Sequence, residues 1–204
     1  MKTKLLLTAL TTSIAAAMLA ADAPPVGSAA PTFSLPDTKG KTHSLADYKG
    51  KYVVLEWFNP ECPFVKKHYG SGNMQKLQKE FTQRGVAWLT IDSNAPGTEG
   101  NLTQEQAAKV MDSWKTKQTA LLLDPDGKVG RAYGAKNTPD MIVINPDGKI
   151  VYEGAIDSKA TPNPADIPSS TNYVKAALDE SLAGKPVSKP ATRPYGCSVK
   201  YRSS

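Results

Sequence analysis

Residues 52–65 read Tyr52-Val-Val-Leu-Glu-Trp-Phe-Asn-Pro-Glu-Cys-Pro-Phe-Val65. The first seven, Tyr52 to Phe58, form a near-continuous β-branched, apolar and aromatic run, the pattern of a central strand buried on both faces. Pro60 and Pro63 end it, because proline has no amide hydrogen to give to a ladder. Beyond Pro63 the apolar residues Phe64, Tyr69, Leu77 and Phe81 recur among polar ones as on a helix running to Gln83 and closed by Gly85, with an irregularity near Gly70-Ser-Gly72. Cys62 therefore falls at a strand-to-helix turn, where the free amides and positive dipole end of the helix favour a thiolate. Lys66 and Lys67 follow one turn on. A thiol so placed has its pKa lowered by about one to several units and becomes a nucleophile near neutral pH. The alternative is a buried structural thiol or half of a permanent disulfide.

Working outward, Phe33-Ser-Leu35 and Lys41 to Ser44 flank Asp37-Thr-Lys-Gly40, which predicts an N-terminal β-hairpin. Val86 to Ile91 reads as a second buried strand, and Thr103 with Gln106 opens a helix whose Ala107, Val110, Met111 and Trp114 keep helical spacing. Ala120 to Leu123 is a short apolar strand, followed by the turn Asp124-Pro-Asp-Gly127 and one or two helical turns over Lys128 to Tyr133. Met141 to Ile144 and Ile150 to Glu153, joined by Asn145-Pro-Asp-Gly148, form an antiparallel hairpin. A Pro-rich loop and a helix from Asn172 to Ala183 complete the body. Parallel βαβ followed by an antiparallel hairpin and a closing helix predicts an α/β three-layer fold with a mixed central sheet.

The two ends account for the charge. Met1-Lys-Thr-Lys4 followed by Leu- and Ala-rich residues to Ala21 reads as a secretory signal peptide; its apolar stretch is shorter than the roughly 20 residues a spanning helix needs. We therefore expect segment 1–21 to be a signal, 22–184 the folded domain and 185–204 a basic, Pro-spaced tail, with no membrane span after cleavage and a periplasmic or secreted location. The 204 residues carry a net charge of +6, but the body from Asp22 to Gly184 sums to about −1, since all 19 acids lie there and five bases lie in the tail. A nucleic-acid partner has no basic face to rest on.

The stretches Gly27 to Gly40, Gly50 to Phe58, Cys62-Pro-Phe-Val65, Thr138-Pro139 and Asn145 to Gly154, in that order and spacing, resemble the thioredoxin-like redoxins. The similarity is greatest to the peroxiredoxin-like secreted or periplasmic redoxins of the alkyl hydroperoxide reductase and thiol-specific antioxidant superfamily. It runs from about Val26 to Asp157, and the ending Thr192 to Tyr201 also looks like tails in that group. The resemblance implies a thioredoxin-like three-layer sandwich with Cys62 as the redox-active thiol. Thioredoxins carry Cys-x-x-Cys here. This chain has one cysteine, with Val65 in place of the second or, in the other frame, Asn59 in place of the first. The Pro, Thr and Arg that position peroxide in peroxiredoxins are also missing: Leu55 and Asn59 stand seven and three residues before Cys62, and Arg131 is the one substitute candidate. Thr138-Pro139 matches the cis-proline that packs beside the active thiol and lets the preceding backbone pair with a substrate chain.

The second cysteine, Cys197, admits three readings: a distant resolving thiol, a permanent staple to Cys62, or an intermolecular pairing point. A persistent bond closing a loop of 135 residues would contribute roughly 5 kcal/mol in the chain-entropy model, and an oxidising compartment tends to join such a pair. His68, six residues after Cys62, makes a Cys62/His68 metal site the outside alternative. Catalysis is thus expected from Cys62 and Cys197 and substrate contact from Pro63, Thr138 and Pro139. Lys66, Glu56 and Asn59 are expected to modulate the thiol, Glu56 by analogy with the buried acid beneath thioredoxin's active site. No metal or cofactor is implied. The expected activity is thiol-disulfide exchange or peroxide reduction, with a protein or small-molecule thiol, disulfide or peroxide as substrate and an external thiol as reductant. The competing reading is a non-catalytic binding protein with Cys62 and Cys197 permanently joined.

Overall fold

The computed structural model describes residues 23–203, so the expected signal segment lies outside the described residues. The chain forms β1 (Ser34–Pro36), β2 (Thr42–Ser44), β3 (Val53–Trp57), α1 (Pro63–Gly70), α2 (Asn73–Gln83), β4 (Ala87–Asp92), α3 (Gln104–Ser113), β5 (Ala120–Leu123), α4 (Lys128–Ala132), β6 (Asn137–Thr138), β7 (Asp140–Ile144), β8 (Ile150–Gly154), α5 (Tyr173–Leu182) and β9 (Cys197–Ser198). Short 3-10 turns lie at Leu45–Tyr48 and Pro164–Ser169.

The central sheet has the order β5-β4-β3-β7-β8. Strand β3 runs parallel to β4 and antiparallel to β7, so the sheet is mixed as the sequence predicts. All five residues of β3 are buried, which follows from its position at the centre of the sheet. Successive side chains point to opposite faces. Val54 and Phe58 meet Val65, Tyr69, Leu77 and Leu178 on one face, while Leu55 and Trp57 meet Phe33, Leu35, Val129 and Tyr133 on the other. Burying each such large apolar side chain contributes roughly 1.5–3 kcal/mol, and the two clusters together define three layers. The N-terminal hairpin pairs Leu35 with His43 as expected. Among the described residues no helix is long and apolar enough to cross a membrane.

The helix expected over Pro63 to Gln83 is two helices. Ser71 ends the first and Gly72, at φ +74°, precedes the second. That left-handed backbone costs an L-residue roughly 1–2 kcal/mol and glycine almost nothing, so Gly72 turns the irregularity into a break. Two further elements escape periodicity altogether. Strand β6 is two residues long and pairs antiparallel with β9, which brings the C-terminal tail back across the domain.

Candidate active site

Cys62 occupies the residue before α1, with φ −66° and ψ 122°. Three local features put it there. Asn59 accepts the Glu61 amide through Oδ1 at 2.8 Å and its backbone carbonyl accepts the Cys62 amide at 3.2 Å, folding the turn after β3. Its side-chain amide donates to Glu99 O at 3.2 Å. Pro63 then starts the helix, its fixed φ suited to the first turn and its absent amide no loss there.

The Cys62 sulfur lies 3.0 Å from the carbonyl oxygen of Thr138, to which the thiol donates. The Thr138–Pro139 peptide is cis, as the resemblance implies. Cys197 is the backbone partner of Thr138 across the β6–β9 pair, and its thiol faces that of Cys62. Burial works to raise the Cys62 pKa. The Cys197 thiol, the Thr138 hydroxyl and the amides of Cys197 and Val65 more than offset it, and the net shift is downward. The Thr138 carbonyl opposes them by favouring the protonated form. Cys197 moves the other way, to about 11, through burial and then through its bond to Cys62. The site thus drives the two thiols apart in acidity, Cys62 downward and Cys197 upward.

Both cysteines are free thiols in this structure. Cys62 is 0% exposed, and Tyr195 and Cys197 of the tail pack against the cluster it belongs to.

What holds the tail is a polar cluster on α1 and the segment after β8. The Tyr195 hydroxyl donates to Asp157 Oδ1 in a short hydrogen bond and lies 3.4 Å from His68 Nε2. Asp157 Oδ2 pairs with the Lys67 ammonium at 3.3 Å, both side chains buried, and Lys67 also donates to Lys159 O at 2.8 Å. The Tyr195 ring packs against Phe64, with centroids 5.7 Å apart. Burial pushes His68 down to about 4; Asp157 opposes this and Lys67 reinforces it, so the imidazole is neutral near pH 7.

The structure brings Thr138, Pro139, Pro63, Cys62 and Cys197 together, and Asn59 builds the turn. Lys66 does not reach the sulfur: its side chain is 49% exposed and pairs with Glu61 at 2.9 Å, because its position on α1 faces solvent. Glu56 is fully buried, but its partners are Tyr69 and Trp88 at 2.8 Å, Thr90 at 3.2 Å and Gln78 at 3.4 Å, none of them the thiol. Burial raises it to about 7 against those four hydrogen bonds. Arg131 is no peroxide ligand. Its guanidinium stacks on Tyr201 at 4.5 Å and donates to Arg202 O. Leu55 faces the opposite side of the sheet. Among the described residues no group of three His, Cys, Asp or Glu could hold a metal, and His68 turns to Asn73 and Tyr195 rather than to Cys62. Sequence reasoning missed Tyr195, Asp157 and the role of Lys67. The signal available was Tyr195 two residues before Cys197 in an otherwise Pro-spaced tail.

The AhpC/TSA family profile matches residues 26–153. The chain is 33% identical over 127 residues to the thiol-disulfide oxidoreductase ResA of Bacillus subtilis (strain 168), taking in 61% of this chain and 64% of ResA; the match spans slightly under two thirds of that relative. Among solved structures, an uncharacterized conserved protein from Geobacillus kaustophilus is similar with TM-score 0.76 and 29% identity, over 88% of this chain and 94% of that one. The thioredoxin domain of a thiol-disulfide oxidoreductase from Bacteroides vulgatus is similar with TM-score 0.53 and 24% identity, over 72% of this chain and 98% of that one. The fold is thioredoxin-like.

Proposed function

The chain belongs to the AhpC/TSA family, and from that premise we propose that it is a thiol-disulfide oxidoreductase in which Cys62 attacks and Cys197 resolves. The observation that carries this reading is the meeting of the two thiols beside Thr138, with their proton affinities driven apart. The Cys62 thiolate attacks one sulfur of a substrate disulfide. A Cys62–substrate bond forms, the substrate S–S bond breaks, and the other substrate sulfur leaves as a thiolate. Cys197, on giving up its proton, attacks the Cys62 sulfur. The Cys62–substrate bond breaks, the substrate leaves as a second thiolate, and the two cysteines have given two electrons in forming the Cys62–Cys197 disulfide, which an external dithiol reduces by the same exchange, itself becoming a disulfide. Disulfide chemistry suits the site better than peroxide chemistry, since Arg131 is committed to the tail and Leu55 to the far core face.

The likeness to ResA, itself named a thiol-disulfide oxidoreductase, supports the same assignment. The Leu- and Ala-rich N-terminal sequence supports a periplasmic or secreted location, where the substrates would be protein or small-molecule disulfides.

A second reading draws on the complete burial of Cys62: the pair is a permanent bond and the fold a binding scaffold. Thiol trapping at poised glutathione potentials, with Cys62→Ser and Cys197→Ser controls, separates the two. An oxidoreductase pair titrates between reduced and oxidised forms in the accessible range. A pair that stays oxidised down to about −300 mV, as structural disulfides do, overturns the enzymatic reading.

A further inference from the structure

Residues Tyr195 to Val199 cross the site in the way an added strand pairs with a sheet edge. Cys197 stands opposite Thr138 and Ser198 opposite Asn137. The Val199 amide donates to Lys136 O at 3.0 Å and the Asn137 side chain donates to Gly196 O at 3.1 Å. Every anchor of this segment meets a surface shaped for it. The Tyr195 hydroxyl enters the buried Lys67, His68 and Asp157 cluster while its ring rests on Phe64. Gly196, at φ +132°, presses on the Thr138 carbonyl so closely that a Cβ would overlap the oxygen. Tyr201, four residues beyond Cys197, lies on Gly127 and Gly130, where side chains would collide with its ring, and donates to Ala135 O at 2.8 Å.

Resting on the oxidoreductase reading above, we propose that the groove between β6, α1 and the Asp157 segment is a sequence-selective polypeptide site whose tail is a tethered copy of the client. The client is an extended protein segment reading Tyr-Gly-Cys, with a second phenol four residues past the cysteine. Its backbone pairs with Asn137 and Thr138, its tyrosine takes the Asp157 cluster, and its cysteine meets Cys62. Glycine is the strictest requirement, since any larger residue there faces both an unfavourable φ and the Thr138 oxygen. A tether supplies an effective concentration in the millimolar range, so the copy shields Cys62 from sulfur compounds that lack these anchors and yields to a segment that has them.

The test uses the full chain carrying Cys197→Ser, reduced, and the same chain with Tyr195→Ala added, which loosens the tethered copy and keeps Phe64, Lys67, His68 and Asp157. The probe is a peptide matching residues 193–201 whose cysteine carries 2-nitro-5-thiobenzoate. Cys62 loses its proton to solvent and its sulfur bonds to the peptide sulfur; the peptide–thiobenzoate bond breaks and the coloured thiobenzoate leaves with the electron pair. The glycine peptide reacts at least about tenfold faster than one with alanine at that position, in both proteins, and reacts faster still when Tyr195 is replaced. Equal rates for the two peptides, with thiobenzoate-capped cysteamine also reacting, overturn the client assignment and leave the oxidoreductase reading standing. A Cys62 inert to both capped peptides and to capped cysteamine in both proteins brings down both.

Discussion

Cys197 stands directly across an antiparallel pair from Thr138, the residue whose carbonyl oxygen accepts the Cys62 thiol at 3.0 Å. A two-residue strand from the tail therefore delivers the second sulfur to a site whose first sulfur is set by the strand-to-helix turn 135 positions earlier.

The acidity of Cys62 depends on this neighbour. Burial alone would raise its pKa, and the Cys197 thiol is the foremost group lowering it. In the reduced protein, the pH profile of iodoacetamide labelling at Cys62, normalised to its plateau, has its midpoint below the roughly 8.5 of a free thiol. Cys197→Ala moves that midpoint upward. A midpoint that does not move would show the pair to be electrostatically independent.

Glu56 gives the fold a pH signature. Burial, against four hydrogen bonds, raises its pKa from 4.5 to about 7, so between those values the folded state holds a proton that the unfolded chain has lost. Stability therefore falls as pH rises through this window, by on the order of 3 kcal/mol. Asp140, also raised to about 7 by burial, adds a slope of the same sign. Glu56→Gln keeps one acceptor oxygen for Trp88 and Thr90, sets its amide against the Tyr69 hydroxyl, which can turn to accept, and removes one of these contributions. Urea denaturation at about pH 5 and about pH 8 should lose less stability in the variant than in the parent, by about 2–3 kcal/mol.

Lys67 and Asp157 are a buried pair at 3.3 Å, and removing one partner strands the other. Lys67→Met should destabilise the protein by about 3–5 kcal/mol. It also removes a positive charge that holds the His68 pKa down, so the imidazole titration followed by NMR moves upward from about 4. The double change Lys67→Met, Asp157→Asn should recover part of the loss.

Gly130 separates two effects of opposite sign. It lies inside α4, where alanine ordinarily gains up to about 1 kcal/mol of helix propensity. A Cβ there overlaps the Tyr201 hydroxyl and crowds Ser93 Oγ, an overpacking cost of about 1–3 kcal/mol. The overlap wins and Tyr201 swings out. Hydrogen exchange at Val199 and Lys200 should speed up in Gly130→Ala while the amides of β3 and β4 stay protected.

Legibility in the sequence followed the range of the interactions. Strand β3, the N-terminal hairpin and the turn at Cys62 were readable because each is specified by residues adjacent in the chain: the apolar run Val53 to Phe58, Gly40, and the prolines at 60 and 63. Gly70-Ser-Gly72 announced an irregularity, but the choice between a kink and two helices lay in the backbone of Gly72. The role of Lys66 was misread because helical position, and not distance along the chain, decides whether a side chain sees the sulfur or the solvent. The cluster that Tyr195 forms with Lys67 and Asp157 was out of reach for a different reason. Their meeting joins three segments, and a two-residue pair such as β6 with β9 is too short to leave a period in either strand.

The distance along the chain between Cys62 and Cys197 also bears on biosynthesis. A ribosome that has released the first hundred residues has made Cys62, its helix and the whole of β3 before it, yet neither Thr138 nor the partner sulfur. At an average synthesis rate of roughly 5–20 residues per second, the remaining stretch to Cys197 leaves Cys62 as a lone thiol for several seconds at least. Polypeptides aborted before position 197 never acquire the second sulfur, so on the proposed two-cysteine reading a pair that cycles reports that synthesis passed Cys197 and that the tail found its place.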